Sequence, residues 1–238
     1  MTERPGTLLA SRPLHFVVLA DCSGSMDADG KMPALNVAVR EMLPHLTELA
    51  DQNPHAEVLA RVIAFSTGAR WHLETPTPVD ALVWTDLEPM GYTDLGAALD
   101  LLTEQLRVPP MEERALPPAL LLVSDGQPTD DWRAALDRLL AEPWGERAVR
   151  MAVGIGRDVD NNVLRAFIAS DDLEPVTAKN PEQLVSLIRW ASTHAGRLAS
   201  SQAAPKPETS LVDEQPPSSG NAERSVTDEL PTASEVVW

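Results

Sequence analysis

Asp21, Ser23 and Ser25 place one carboxylate and two hydroxyls within five residues, directly after the apolar run Leu14–Ala20. All three are hard oxygen donors, the kind that Mg²⁺, Mn²⁺ and Ca²⁺ prefer. A second apolar run, Ala119–Val123, leads into Ser124-Asp125-Gly126, and between the two lies a third oxygen-bearing loop, Gly91-Tyr92-Thr93-Asp94. If the runs are strands, the three loops meet at one end of a sheet, which points to a metal site rather than a catalytic triad. Each loop taken singly has a plainer reading. Ser23 and Ser25 satisfy a tight turn, Asp125-Gly126 is a common turn pair, and Thr93, Asp94 and Asp130 serve as helix N-caps. The order of the set and its place at strand ends carry the metal reading.

The elements that must position these residues follow from periodicity. Leu14–Ala20 reads as the first strand, Glu57–Phe65 as the second, Arg70–Leu73 as a short edge strand, and Val149–Ile155 as the fifth. Ala119–Val123 is apolar at every position, as a central strand covered on both faces should be. A helix is expected from Pro33, a favourable first-turn residue, with Leu35, Val39, Met42, Leu43 and Leu46 on its inner face. Pro44 should kink or shorten it. Further helices are expected over 94–107, from Asp130, over about 160–169 and over 181–197, with a short strand near Pro175–Thr177. Alternating strands and helices imply an α/β fold: a Rossmann-like, doubly wound, mostly parallel central sheet with helices on both faces. Ligands bind such sheets beyond the carboxyl ends of the strands, where the strand order reverses.

Composition bounds the rest. A chain of 238 residues with 43% hydrophobic content suits one sizeable domain with an appendage. Three segments are expected: an extension over 1–13, a folded domain over 14–198, and a disordered, acidic, Pro- and Ser-rich tail over 199–238. A formal charge of −17 excludes nucleic acid and anionic membrane surfaces as natural partners. A single cysteine precludes an internal disulfide and suits a reducing compartment. Met1–Pro13 lacks a signal-peptide pattern, and Leu14–Ala20 is too short to span a membrane, so the cytoplasm is the expected location.

The stretches FVVLADCSGSM, GYTDLGAAL and LVSDGQPTD resemble the von Willebrand factor A (vWA) domain and its metal-ion-dependent adhesion site (MIDAS). The family pattern, Asp-x-Ser-x-Ser, then a distant Thr, then a distant Asp, is matched by Asp21, Ser23, Ser25, Thr93 and Asp125. The resemblance implies that Ser23, Ser25 and Thr93 give hydroxyl oxygens to a divalent cation, Mg²⁺ foremost with Mn²⁺ or Ca²⁺ as alternatives. Asp21 and Asp125 would act directly or through water. An acidic side chain of a partner protein would complete the shell, making the ion the glue of an interaction. Within the family the sequence is similar to the TerY-like branch of tellurium-resistance gene clusters. That branch implies a stress-response or signalling complex with a Ser/Thr kinase and a protein phosphatase. Cys22 falls at a variable position, and Tyr92 replaces the Gly often found before the Thr, where it would crowd the site or meet the partner.

The other chemistry-bearing residues read as structural. Cys22 should point away from Asp21 and Ser23 as a small buried hydrophobe, and no histidine neighbours it. Gly154-Ile155-Gly156 reads as a turn, and the histidines at 15, 45, 55, 72 and 194 lack zinc-ligand spacing. The tryptophans suit packing, with Trp71 or Trp84 available to an interface. Thr209, Ser210, Ser218, Ser219, Ser225, Thr227, Thr232 and Ser234 are hydroxyls a partner kinase could modify. The leading expectation is thus a non-enzymatic, metal-dependent interaction module. The first alternative is a phosphoryl-transfer or hydrolytic enzyme using Asp21 as nucleophile and Asp125 on Mg²⁺. Against it, a second aspartate is missing two positions after Asp21, and no strand end offers an evident lysine for phosphate. A vWA scaffold that binds without metal is the third reading.

Overall fold

The first strand, β1 (Arg12–Asp21), is buried from Leu14 to its end and pairs in parallel with a strand on either side. Its neighbours are β2 (Ala56–Ser66) and β4 (Ala119–Ser124). The computed structural model describes residues 11–53, 55–156, 159–170 and 172–201. Outward from β2 lies β3 (Gly68–Pro78), and outward from β4 lie β5 (Val149–Ile155) and β6 (Val176–Ala178). The six-stranded order is β3-β2-β1-β4-β5-β6, with β3 antiparallel and every other pairing parallel. The chain therefore reverses its direction of travel across the sheet between β1 and β4, and their carboxyl ends open the cleft at which such folds bind ligands.

Period-two alternation divides the core. Leu14, Phe16, Val18 and Ala20 of β1, with Leu121 and Val123 of β4, meet α1 (Lys31–Gln52) and α6 (Pro181–Ser201) on one face. Val17 and Leu19, with Leu120 and Leu122, meet α2 (Leu95–Leu106), α3 (Trp132–Ala141), the short α4 (Pro143–Arg147) and α5 (Asn161–Ile168) on the other. This is the doubly wound α/β architecture expected from the sequence, and both faces of β4 are covered, as its uninterrupted apolar run requires.

Four elements differ from expectation. α1 begins at Lys31, two residues before Pro33, and runs through Pro44 to Gln52. Pro33 lies in the first turn, where an amide has no helical acceptor, and Pro44 lies on the exposed side, where the carbonyl it orphans can turn to water. β3 spans 68–78 rather than 70–73 despite Pro76 and Pro78. An edge strand tolerates proline because its outer amides pair with nothing, and register shifts opposite Ala60–Ile63 absorb the irregularity. β1 starts at Arg12, and α6 continues to Ser201, past the expected boundary at 198. The expected tail and its hydroxyls lie beyond Ser201, outside the described residues, as do residues 1–10 of the expected extension.

Candidate functional site

Ala20 of β1 is in register with Val123 of β4, so Asp21 and Ser124 close neighbouring strands. The Asp21 carboxylate is fully buried, and both of its oxygens are used: Oδ1 accepts the Ser23 amide at 2.8 Å and Oδ2 accepts Ser124 Oγ at 2.6 Å. Burial pushes this carboxyl above its ordinary range, against hydrogen bonds from Ser124 and Ser23 that favour the charged form, while the nearby Asp125 charge raises it further. Asp21 therefore fastens the turn that presents the two serines.

Asp125, the residue after β4, gathers those serines. Its Oδ1 accepts Ser25 Oγ at 2.7 Å and Ser23 Oγ at 3.5 Å, and the two hydroxyls lie 2.9 Å apart. Its Oδ2 accepts Lys31 Nζ at 2.7 Å, a contact the sequence reading did not foresee. Ser25 remains exposed while Ser23 and Asp125 are buried, so the cluster opens to solvent on one side.

The third loop is tied to the first by Met90 N to Cys22 O (2.6 Å) and Gly24 N to Gly91 O (3.0 Å). Gly91 has φ +69°, and a β-carbon there would sit 2.3 Å from Thr67 Oγ1, so glycine is required on both counts. The Thr93 amide donates to Thr129 Oγ1 (3.1 Å), and the Thr129 amide returns a bond to Thr93 O (2.9 Å). A β-carbon built on Gly126 would lie 3.6 Å from Thr93 Oγ1 and 3.8 Å from Ser25 Oγ, so both hydroxyls border the same space. Ser23, Ser25, Thr93 and Asp125 thus converge, and Asp21 joins them through Ser23.

Neither Asp94 nor Asp130 caps with its side chain the helix that follows it. Asp130 does not cap α3; it reaches across to α2, where Oδ1 and Oδ2 accept the amides of Gly96 and Ala97, each at 2.9 Å. Asp131 takes the N-cap position of α3, through a 3.4 Å bond from Ala134 N. Asp94 stands at the N-cap position of α2 without a side-chain cap; its carboxylate accepts Gly68 N (2.8 Å) and Thr129 Oγ1 (2.9 Å). Both carboxylates brace the loops around Thr93.

Of the residues flagged at the rim, Tyr92 is 68% exposed, so it projects outward rather than crowding the cluster. Met90 in the same loop is 56% exposed. Cys22 is buried with Sγ toward Ala20 O at 3.6 Å, and burial, with the Asp21 charge, pushes its thiol up to about 12. Trp71 carries the Arg61 guanidinium 3.6 Å over its ring, and Trp84 Nε1 donates to Asn36 Oδ1 at 3.2 Å; both are half-buried packing residues. Gly154 and Ile155 belong to β5, and Gly156 follows it with φ +83°. Ser124 was named in the sequence only as part of the Ser124-Asp125-Gly126 strand end, and Lys31 and Thr129 carried no signal, because their roles depend on contacts between elements distant in the chain.

The profile of the von Willebrand factor type A domain matches residues 16–189. No functionally curated protein matches the chain. Among solved structures, a von Willebrand factor type A protein from Catenulispora acidiphila is similar, with TM-score 0.59 and 21% identity, over 79% of this chain and 43% of that one. Proximal thread matrix protein 1 from the mussel byssus, with a zinc-occupied MIDAS motif, matches with TM-score 0.59 and 18% identity, over 77% of this chain and 48% of that one. The pilus adhesin SpaC from Lactobacillus rhamnosus GG matches with TM-score 0.60 and 14% identity, over 79% of this chain. The chain spans less than half the length of each of the three, 30% in the case of SpaC. At these identities the structures speak for the fold, while the profile covers most of the sequence from β1 into α6: the chain belongs to the von Willebrand factor type A domain family.

Proposed function

We propose that this protein is a non-enzymatic, divalent-cation-dependent protein-binding module. The observation that carries the reading is the convergence of Ser23 Oγ, Ser25 Oγ and Asp125 Oδ1, within 2.7–3.5 Å of one another, with Thr93 Oγ1 bordering the same space. Two features fit a cation there. The donors are all hard oxygens, three hydroxyls and one carboxylate. The glycine at 126 also leaves open the space that a side chain would fill between Thr93 and Ser25. Ser23, Ser25, Thr93 and Asp125 would hold the ion, Asp21 would orient the serines from behind, and the ion would supply a Lewis-acidic point for a partner's carboxylate. The exposed side chains of Met90 and Tyr92 offer apolar contact beside it.

Mg²⁺ is the ion we favour, with Mn²⁺ and Ca²⁺ as alternatives. The resemblance to the TerY-like branch supports a Ser/Thr kinase and a protein phosphatase as partners in a cytoplasmic stress-response complex. The test is thermal unfolding with each ion against EDTA, on wild type and on the Ser23→Ala/Asp125→Ala double variant. A saturable rise that the double variant lacks is expected, equivalent to about 2.7 kcal/mol at one hundred times Kd. No shift together with a blank calorimetric titration would reject the metal.

The hydrolytic alternative gains one residue and loses another. The structure brings a lysine, Lys31, to the site, which the sequence reading found lacking. The would-be nucleophile Asp21 is fully buried, with both oxygens engaged in holding the turn, so it has no approach to a substrate. The Lys31–Asp125 pair favours a different second reading, a module that works without metal, because it already satisfies Asp125 Oδ2.

A further inference from the structure

We propose that Lys31 sets the metal affinity of this site: its ammonium is a built-in cation with which the divalent ion must share Asp125, holding the ion weakly until a partner's carboxylate arrives. The inference rests on the metal reading above.

Lys31 opens α1, and its side chain is 11% exposed, while that of Asp125 is fully buried. Nζ donates to Asp125 Oδ2 at 2.7 Å and to Ser25 O at 3.5 Å. Gly156, at the end of β5, forms the wall on the other side. A β-carbon there would come 3.7 Å from Lys31 Cε and 3.8 Å from Nζ, and its φ of +83° keeps the position for glycine. The ammonium is thereby confined between the first loop, the β4 loop and the end of β5. It faces the same carboxylate whose other oxygen accepts Ser25 Oγ and Ser23 Oγ. The Lys31–Asp125 pair is buried and so screened far less than a surface pair, and a divalent ion held by the same carboxylate would feel this ammonium directly.

Formal charge gives the consequence. Asp21, Asp125 and Lys31 together leave one net negative charge at the site. A divalent ion turns that into one net positive charge, and a single partner carboxylate brings it to neutrality. Without Lys31 the ion alone would balance the two carboxylates, and the partner's acid would add unbalanced charge. Lys31 thus couples ion retention to acidic partner binding, in the sense of a thermodynamic linkage between two ligands.

The test is calorimetric titration of the full chain with Mn²⁺, and separately Mg²⁺, for wild type, Lys31→Met, Lys31→Gln, Lys31→Arg and Asp125→Ala, with thermal unfolding in EDTA and in saturating ion. Lys31→Met and Lys31→Gln should bind at least tenfold more tightly than wild type, and their melting temperatures should gain more from the ion. Lys31→Arg, which keeps the charge, should stay near wild type. Lys31→Gln retains a donor for Asp125 and so covers the case in which the methionine variant fails to fold. Unchanged or weaker binding in folded Lys31→Gln, with binding abolished in Asp125→Ala, would overturn the inference and leave the metal site standing. Absence of binding in every protein would reject the metal reading, and this inference with it.

Discussion

Cys22 stands between Asp21 and Ser23 yet faces the opposite way, and its chemistry is set by burial. It is 1% exposed and its thiol is pushed up to about 12, so at neutral pH it holds no usable thiolate. Iodoacetamide at pH 8 should therefore label the native protein at the rate of its unfolding, and labelling at the rate of a free cysteine would contradict the packing. Linkage adds a second readout. The unfolded thiol titrates near 9.0 and the native thiol near 12, so its contribution is intact below pH 9 and lost as pH rises through that window. The slope is about 1.4 kcal/mol per pH unit, and Cys22→Ala should lack it when urea midpoints are compared at pH 8 and pH 10. Ser124 acts through Asp21. Ser124→Ala leaves the buried Oδ2 without its 2.6 Å donor and should cost about 1–3 kcal/mol in urea unfolding. The oxygen donors and the inert cysteine were legible in the sequence because their chemistry is local: residue type, spacing of two, and the end of an apolar run. Lys31 was not, because a lysine opening an amphipathic helix ordinarily stays in water, and what draws it inward is a carboxylate 94 residues away.

At the scale of elements, the capping of α2 by Asp130 decides where the third loop sits. Asp130 holds the first amides of α2 with two 2.9 Å bonds, whereas Asp131 holds α3 with one at 3.4 Å. Asp130→Ala should therefore cost about 0.5–2 kcal/mol and Asp131→Ala less, by urea denaturation. The two should also differ in a way a plain cap would not produce. α2 begins two residues after Thr93, so Asp130→Ala should weaken cation binding by calorimetry, while Asp131→Ala should leave it unchanged. The sequence could place a cap near 130 but could not tell which helix it served, because a cap supplied from another element leaves no local spacing. The same limit explains β3. Glu74 to Pro78, with its two prolines, falls outside the expected strand over 70–73, and the sheet edge that accommodates it exists only once β2 is in place. The central strands were legible because full burial on both faces demands unbroken apolar runs, whereas the reversal between β1 and β4 is a matter of strand order, which leaves no local pattern.

The whole molecule carries a formal charge of −17, and this governs how its cation dependence has to be read. A chain so far from neutrality repels itself, and any added cation relieves that repulsion without occupying a site. Magnesium should therefore raise the melting temperature at low ionic strength even where Asp125 is gone. Screening and site binding respond differently to background salt. At about 0.15 M monovalent salt the Debye length is roughly 8 Å, and diffuse relief is largely spent. An ion in the space beside Gly126, bordered by Ser25 and Thr93 and adjoining the buried Asp125, would be held by direct oxygen contacts far shorter than that length, which salt screens much less. Wild type should accordingly keep a saturable stabilisation by Mg²⁺ or Mn²⁺ in the presence of salt, and Asp125→Ala should lose its shift as salt is added. Melting curves of both proteins across a salt series at fixed divalent concentration make the separation. If the two proteins lose their shifts in parallel, the divalent effect belongs to the net charge of the chain and not to the cluster at the ends of β1 and β4.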